Sequence, residues 1–590
     1  MSKFLHQNSK YNTVAPIMIS RDSHEQTNNK VSASTTKPSN GGWKAALFII
    51  FVEMAERFAF YGLAGNLITY LTNELHQPTA TAVKNVNTWI GVSAIFPIFG
   101  AVLADSFLGR FTTILLASII YFIGMVLLTF SVSIIPMHYR EAVFFLALYI
   151  LAIGEGGHKP CVQTFAADQF NEEKPEEKAA KSSFFNWWYL GIVIGATVAV
   201  FLVIYVQDNV GWTEGLAILA GTLVVALIVF LVGMKRYRKE APVGSPYTAV
   251  AQVLVAAVRK RRVSETQQGW GFCCEDDDKR VGADLEGQPK GKILCRTKHF
   301  RLLDKAMVID NMDASSKTRN PWRLCTLNQV EEVKLVLRLI PIWLSCLIFT
   351  SIIVQNHTFF VKQGSTMIRS IGPNFVLPPA SLQCLIGLTI LVTVPVYDKL
   401  FVPLARKITG HPSGITMLQR IGIGLFLSIL EMAVAALVEA KRISIAKEHG
   451  LLDTPKAIVP MSVWWLVPQY MISGFSDAFA VVGLQELFYD QMPEAMRSMG
   501  AAAYISIIGI GSFVNTAVIS VVQAVTSRHG GGGGVWLGDN LNLAHLDYFY
   551  WVLAVLSGLN LCLYVWIASG FEYKKVEGEK TEMEEKGGES

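Results

Sequence analysis

Twelve stretches of this chain are long and apolar enough to cross a bilayer. They lie near residues 43–71, 84–105, 111–135, 141–166, 184–206, 212–235, 333–361, 378–400, 414–440, 461–488, 498–526 and 546–570. A spanning helix needs about 20 mostly apolar residues to cover a hydrocarbon core about 30 Å thick. In lipid the backbone must satisfy its own hydrogen bonds, which leaves such segments the helix. The chain is therefore expected to be an all-α membrane protein. Only 16% of its 590 residues are charged, against about 25% in soluble proteins.

The spacing of these stretches predicts the organisation. A polar segment, 236–332, divides them into two sets of six, at 43–235 and 333–570, around a central cavity. Polar tails, 1–42 and 571–590, flank them, and the first has the composition of a disordered segment. Within the central segment, "SPYTAVAQVLVAAVRKRR" is apolar on one side and ends in four basic residues. It reads either as a helix at the membrane interface, 246–262, or as a plain basic flank. "CCEDDDKR" reads as linker, because two adjacent cysteines without a second pair make a poor zinc site. Basic residues gather in the loops on the side of the two tails, so both termini are expected in the cytoplasm. No cleavable signal is evident, and the cysteines are expected to form no structural disulfide. The missing acidic dileucine signal favours the plasma membrane over the vacuolar one.

Charges inside the spans carry the functional argument. "FVEMAERFAFYGL" (51–63) holds Glu53, Glu56 and Arg57 on one helix face, at i, i+3 and i+4. Each costs roughly 2.5–3.5 kcal/mol in lipid even on lenient scales, so the face must turn to a bundle interior. Two acids with one base leave a surplus carboxylate. The alternative is a static ion-pair network that orients the first helix. "GEGGHKPCVQTF" (154–165) adds Lys159, one turn after Glu155, with glycines that permit close helix contact. His158 reads as a packing residue. "AVVGLQELFYDQMPE" (480–494) adds Glu486, which needs a partner, and Lys159 across the cavity is the expected one. "GAVLADSFLGRFTTI" (100–114) sets Asp105, Gly109 and Arg110 in a tight turn between spans two and three. "VYDKLFVPLARKITGHPSG" (396–414) echoes it in the second half, as in many transporters built from repeats.

These motifs resemble the major facilitator superfamily and, more closely, the proton-dependent oligopeptide transporter family with its plant nitrate/peptide transporters. "GAVLADSFLGR", "FFNWWYLGIVIGA" (184–196), "TFFVKQGSTMIRSIG" (358–372), "LQRIGIGL" (418–425) and "MPEAMRSMG" (492–500) all carry the likeness. The resemblance implies a major facilitator fold and a proton-coupled symporter that imports a small solute by alternating access. The substrate would lie among short peptides, nitrate and carboxylate-bearing hormones or metabolites. It assigns proton coupling to Glu53, Glu56 and Arg57, and an anion-binding salt bridge to Lys159 and Glu486. Tyr61, Ile353 and Gln355 are the expected pocket residues. Two positions depart from the family pattern. Val193 stands where an Asn is common, and Ile353 stands where a nitrate carrier has a histidine, which disfavours nitrate because isoleucine donates no hydrogen bond. Thr113 matches a phosphorylated threonine of that carrier, which would bring in a regulatory kinase; the alternative is a Thr that caps or packs.

No metal ligand set, nucleophile elbow or phosphate loop is evident, so no enzyme activity, metal or cofactor is expected beyond the proton gradient as driving force. The expected partners are solute, protons and lipid, not nucleic acid, in a monomer or weak dimer. A non-transporting receptor that keeps the fold is the rival reading, and its sign would be loss of the coupling charges, all of which are present.

Overall fold

A computed structural model describes residues 41–170, 175–239, 246–262, 296–297, 299–309, 320–373, 375–409, 414–455, 457–493, 496–528 and 536–574. Residues 1–40 and 575–590 of the tails, the "CCEDDDKR" linker and the glycine run 530–534 lie outside the described residues.

The long helices are α1 (Trp43–Ala64), α2 (Thr79–Leu103), α3 (Arg110–Ser133), α4 (Met137–Ala167), α5 (Pro175–Asn209), α6 (Trp212–Gly233), α7 (Pro246–Arg259), α8 (Leu327–Ser345), α9 (Cys384–Val396), α10 (Met417–Glu448), α11 (Val467–Gln491), α12 (Arg497–Arg528) and α13 (Leu546–Ser569). Among the described residues nine helices are long and apolar enough to cross a membrane, and a tenth if one bent pair counts as a single span. α1 and α11 have 22 and 25 residues, long enough to span at 1.5 Å per residue, but they carry the polar residues discussed below.

Local sequence sets the starts and breaks. Thr326 and Thr416 each close a capping box, with Gln329 and Gln419, at the head of α8 and α10. The stretch expected as one span near 333–361 is bent by 49° between Leu327–Ser345 and Leu347–Ser365. Pro341 removes one backbone donor, and the hydroxyls of Ser345, Thr350 and Ser351 bond to carbonyls of the preceding turn. Such back-bonding loosens the helix ladder and lets it bend. Five-residue π-helical turns, Ala104–Leu108 and Tyr397–Phe401, follow α2 and α9 at the two echoed motifs.

Glycines bring helices together. A Cβ on Gly100 of α2 would lie 2.1 Å from the carbonyl oxygen of Gly156 on α4. One on Gly154 would lie 2.6 Å from the backbone nitrogen of Tyr121 on α3. α7 buries Val253, Ala256 and Ala257 in a cluster with Leu303, Met307, Val330 and Val333, while Leu254 and Val258 remain exposed on its other side. Two short strand pairs, Met367–Ile368 with Val459–Ser462 and Ser370–Ile371 with Phe375–Val376, complete the fold.

Several hydrogen bonds tie residues before 240 to residues after 320, and they gather at the end where α1 finishes. The Thr79 backbone N–H donates to Asp539 (2.6 Å), Lys84 to Gln523 (3.0 Å), Lys362 to the Thr72 hydroxyl (3.1 Å) and Gln383 to the Gly65 carbonyl (2.9 Å). Tyr205 stacks on Phe375 there as well. At the opposite end a pocket of about 420 Å3 opens between α9, α10 and α11, lined by Tyr397, Arg420, Glu486 and Tyr573 among others.

Candidate functional site

The first helix gathers charge into the interior. Arg57 Nε lies 2.9 Å from Glu53 Oε1 and 2.7 Å from Glu56 Oε2, and both carboxylates are buried. One turn of α4 adds a second pair, in which Lys159 meets the buried Glu155. The Lys159 ammonium also lies 4.1 Å from the Phe60 ring centre, a cation–π contact. Three carboxylates thus share two cations. Glu53 Oε2 and Glu56 Oε1 are buried without a hydrogen-bond partner. His158 completes the cluster: buried, its ring can bring a nitrogen within 4.8 Å of oxygens of Glu53 and Glu56. The Arg57 guanidinium beside these oxygens makes them a poor cage for a metal ion, whereas a proton on one of them relieves the crowding of like charges.

The expected Lys159–Glu486 bridge is absent. Lys159 pairs with Glu155 on its own helix, and Glu486, 48% exposed, meets Arg420 at 3.2 Å in the open pocket. Arg420 also donates to the Ala478 carbonyl and stacks over Tyr397 at 4.4 Å. Arg420 lies inside the quoted "LQRIGIGL", yet its pairing across 66 residues leaves no trace in local spacing.

Of the pocket residues, Tyr61 packs edge-on against Phe60 and lies 6.2 Å, ring to ring, from His357. His357 Nδ1 bonds to Gln383 (2.6 Å), at the closed end. Ile353 is half-buried against the apolar cluster of α8, α10 and α12. Gln355 corrects the expectation. It is fully buried, and its amide donates to Asn515 on α12 and to the Ser351 carbonyl, so in this conformation it ties helices together.

Arg110 bridges Asp105 (3.3 Å) and also Asp168 at the end of α4, a third member that sequence spacing missed although "AADQF" contains it. Gly109 takes φ +76°, which a side chain would resist. At Thr113 the geometry matches the alternative of a capping or packing residue. Its hydroxyl donates to the Gly109 carbonyl (3.0 Å) and is buried, so in this conformation it closes the turn and is not open to phosphorylation.

The sequence reading also passed over two acids. Glu431 on α10 is buried, and Asp477 on α11 is half-buried with Oδ1 enclosed; among the described residues neither forms an ion pair. An isolated acid inside an apolar span was the available signal.

Residues 111–536 match the model of the POT family. The chain is 57% identical over 550 residues to NRT1/PTR FAMILY 5.4 of Arabidopsis thaliana, covering 93% of this chain and 98% of that protein. It is 47% identical to NRT1/PTR FAMILY 5.10 of the same plant, covering 92% and 95%. Among solved structures it is similar to an auto-inhibited POT family peptide transporter, with TM-score 0.67 at 22% identity, covering 90% of this chain and 97% of that one. The POT family transporter PepTSo is similar as well, with TM-score 0.65 at 21% identity, covering 90% and 99%. These structural likenesses concern the fold.

Proposed function

The chain belongs to the POT family of transporters, and from that premise we propose that it is a proton-coupled symporter importing a small solute by alternating access. The observation that carries this reading is the cluster of three buried carboxylates on two cations, with Lys159 at its edge against Phe60. A proton taken up by the cluster neutralises one carboxylate. Lys159 then has an ammonium to offer to the anionic end of a solute in place of Glu155. Loss of the proton returns Lys159 to Glu155 and releases the solute. The chain supplies binding and proton transfer in this cycle and forms no covalent intermediate.

In this reading twelve spans form two sets of six, 43–235 and 333–570, with α1 and α11 counted as spans because their charged faces turn inward. The central segment 236–332 and the tails, 1–42 and 571–590, lie in the cytoplasm, and the membrane is the plasma membrane. The hydrogen-bonded end is then the outer gate, closed, and the pocket with Arg420 and Glu486 is the inner mouth. Glu486 pairs with Lys159 only when the inner side closes. Ile353 favours a carboxylate-bearing organic solute, a short peptide among them, over nitrate.

The test is an untargeted uptake screen in oocytes expressing the chain, at acid and at neutral external pH. The reading expects at least one solute to accumulate above the external level only at acid pH. Uptake that never exceeds equilibration, or that ignores pH, contradicts it.

A further inference from the structure

Helix α7 has two unlike faces. Its inner stripe, Val253, Ala256 and Ala257, is buried against Leu303, Met307 and the head of α8. Hydrogen bonds fix that seat. The buried Lys260 ammonium donates to the Val308 carbonyl (2.6 Å), and Lys305 donates to the Arg261 carbonyl. Lys334 of α8, fully buried, pairs with Asp304 and, at 2.8 Å, with Glu331. Glu331 in turn accepts from the backbone N–H of Thr297 (3.1 Å) and from its hydroxyl (2.7 Å).

Among the described residues the outer stripe has no such cover. Leu254 is 39% exposed and Val258 63%. The backbone keeps turning past Arg259, with the Lys260 N–H on the Ala256 carbonyl and the Arg261 N–H on that of Val258. Residues 254, 258 and 261 therefore share one side, which passes from apolar side chains to the exposed Arg261 and Arg262. Trp322, 41% exposed, stands beside this end, where its carbonyl accepts from Arg259 at 3.5 Å. Among the described residues of 246–326 the one acid is Asp304, which is buried with Lys334 and Arg296.

The seat sets the depth. α8 begins at Leu327, and its apolar length runs on into a span. A helix packed on Val330 and Val333 lies where that span meets the headgroups. At that level leucine and valine enter the acyl boundary, guanidinium groups meet phosphates and carboxylates, and an indole ring is at home.

We propose that the outer face of α7, with Leu254, Val258, Arg261 and Arg262, docks on the anionic lipid headgroups of the leaflet that α8 enters. The contact is non-covalent and joins a short apolar stripe to a cationic end. It rests on α8 as the head of a span and is independent of proton coupling.

The test is hydrogen–deuterium exchange, read by mass spectrometry, on the full chain in two kinds of nanodisc. One holds phosphatidylcholine alone, the other an equal mixture of phosphatidylcholine and phosphatidylserine. Amides of 250–262 are expected to exchange about tenfold more slowly in the mixed discs, the effect of arginines at an anionic surface. R261E with R262E is expected to lose that slowing and to match the wild type in phosphatidylcholine. Amides of α3 report folding, and R261Q with R262Q gives the same reading if charge reversal harms the fold. Equal exchange in the two discs overturns the proposal, and so does slowing that the folded arginine variants retain. Inorganic phosphate that slows exchange as much as the mixed discs marks a free-anion site and also overturns it. Full protection already present in detergent marks another occupant, the chain's own acidic run 275–278 or a second copy, with the same consequence. Solute uptake that ignores pH would remove the proposed function and leave this result standing.

Discussion

Arg57 serves two carboxylates with one guanidinium, and that shortage defines the residue-scale expectations. Glu56→Gln keeps shape and hydrogen bonding but cannot release a proton. The variant is expected to reach the membrane at wild-type level and to lose acid-driven accumulation, while exchange of labelled for unlabelled solute survives, because exchange needs no net proton movement. Paired uptake and exchange assays check this. Lys159→Ala leaves Glu155 buried without its cation, a change that typically costs about 3–5 kcal/mol, and removes the group proposed to meet the solute. Transport is expected to fall to background; full transport by Lys159→Ala would reject the assignment. Ile353 predicts little labelled-nitrate uptake at sub-millimolar concentration, and robust uptake there would show that another side chain contacts the anion. The charged residues themselves were legible, since an ionisable group in an apolar span is conspicuous. Their partners far along the chain were not. Arg420 meets Glu486 across 66 positions, and Gln355 turns to Asn515 across 160, distances over which only the folded bundle decides.

At the scale of elements, helix contacts set the cluster's geometry. Gly100 and Gly156 let α2 and α4 meet backbone to backbone. Gly100→Ala places a methyl where a carbonyl oxygen already stands, and overpacking of this kind costs about 1–3 kcal/mol. Thermal unfolding in detergent is expected to show a lower midpoint, and transport a lower rate, because α4 carries Lys159. Arg442 of α10 is a second lever. Buried, it bonds Glu439 through two nitrogens (2.9 and 2.6 Å), Asn542 (2.7 Å) and the Leu541 carbonyl (2.6 Å). Arg442→Ala strands Glu439 and is expected to cost about 3–5 kcal/mol, read as a loss of folded protein by size-exclusion profile. Apolar length and the glycine pattern made the helices and their close contacts readable from the chain. The 49° bend after Ser345 was not readable, because serine and threonine bend a helix only when they choose its own carbonyls over other partners.

For the molecule as a whole, the family and the helical membrane fold followed from motifs spread along the chain. The conformation did not, since one sequence must adopt at least two in a transport cycle. The proposed cycle assigns the bonds of Thr72 to Lys362 and of Lys84 to Gln523 to one of those states. Everything proposed for the α1 cluster converges on a coupling between proton uptake and solute accumulation. The most direct measurement is the current in voltage-clamped oocytes expressing the chain, recorded while a mixture of small plant solutes is added at acid and at neutral external pH. The account predicts an inward current that grows as external pH falls and that vanishes in Glu56→Gln at equal surface level. A solute-evoked current of equal size in Glu56→Gln, or one indifferent to pH, would contradict it.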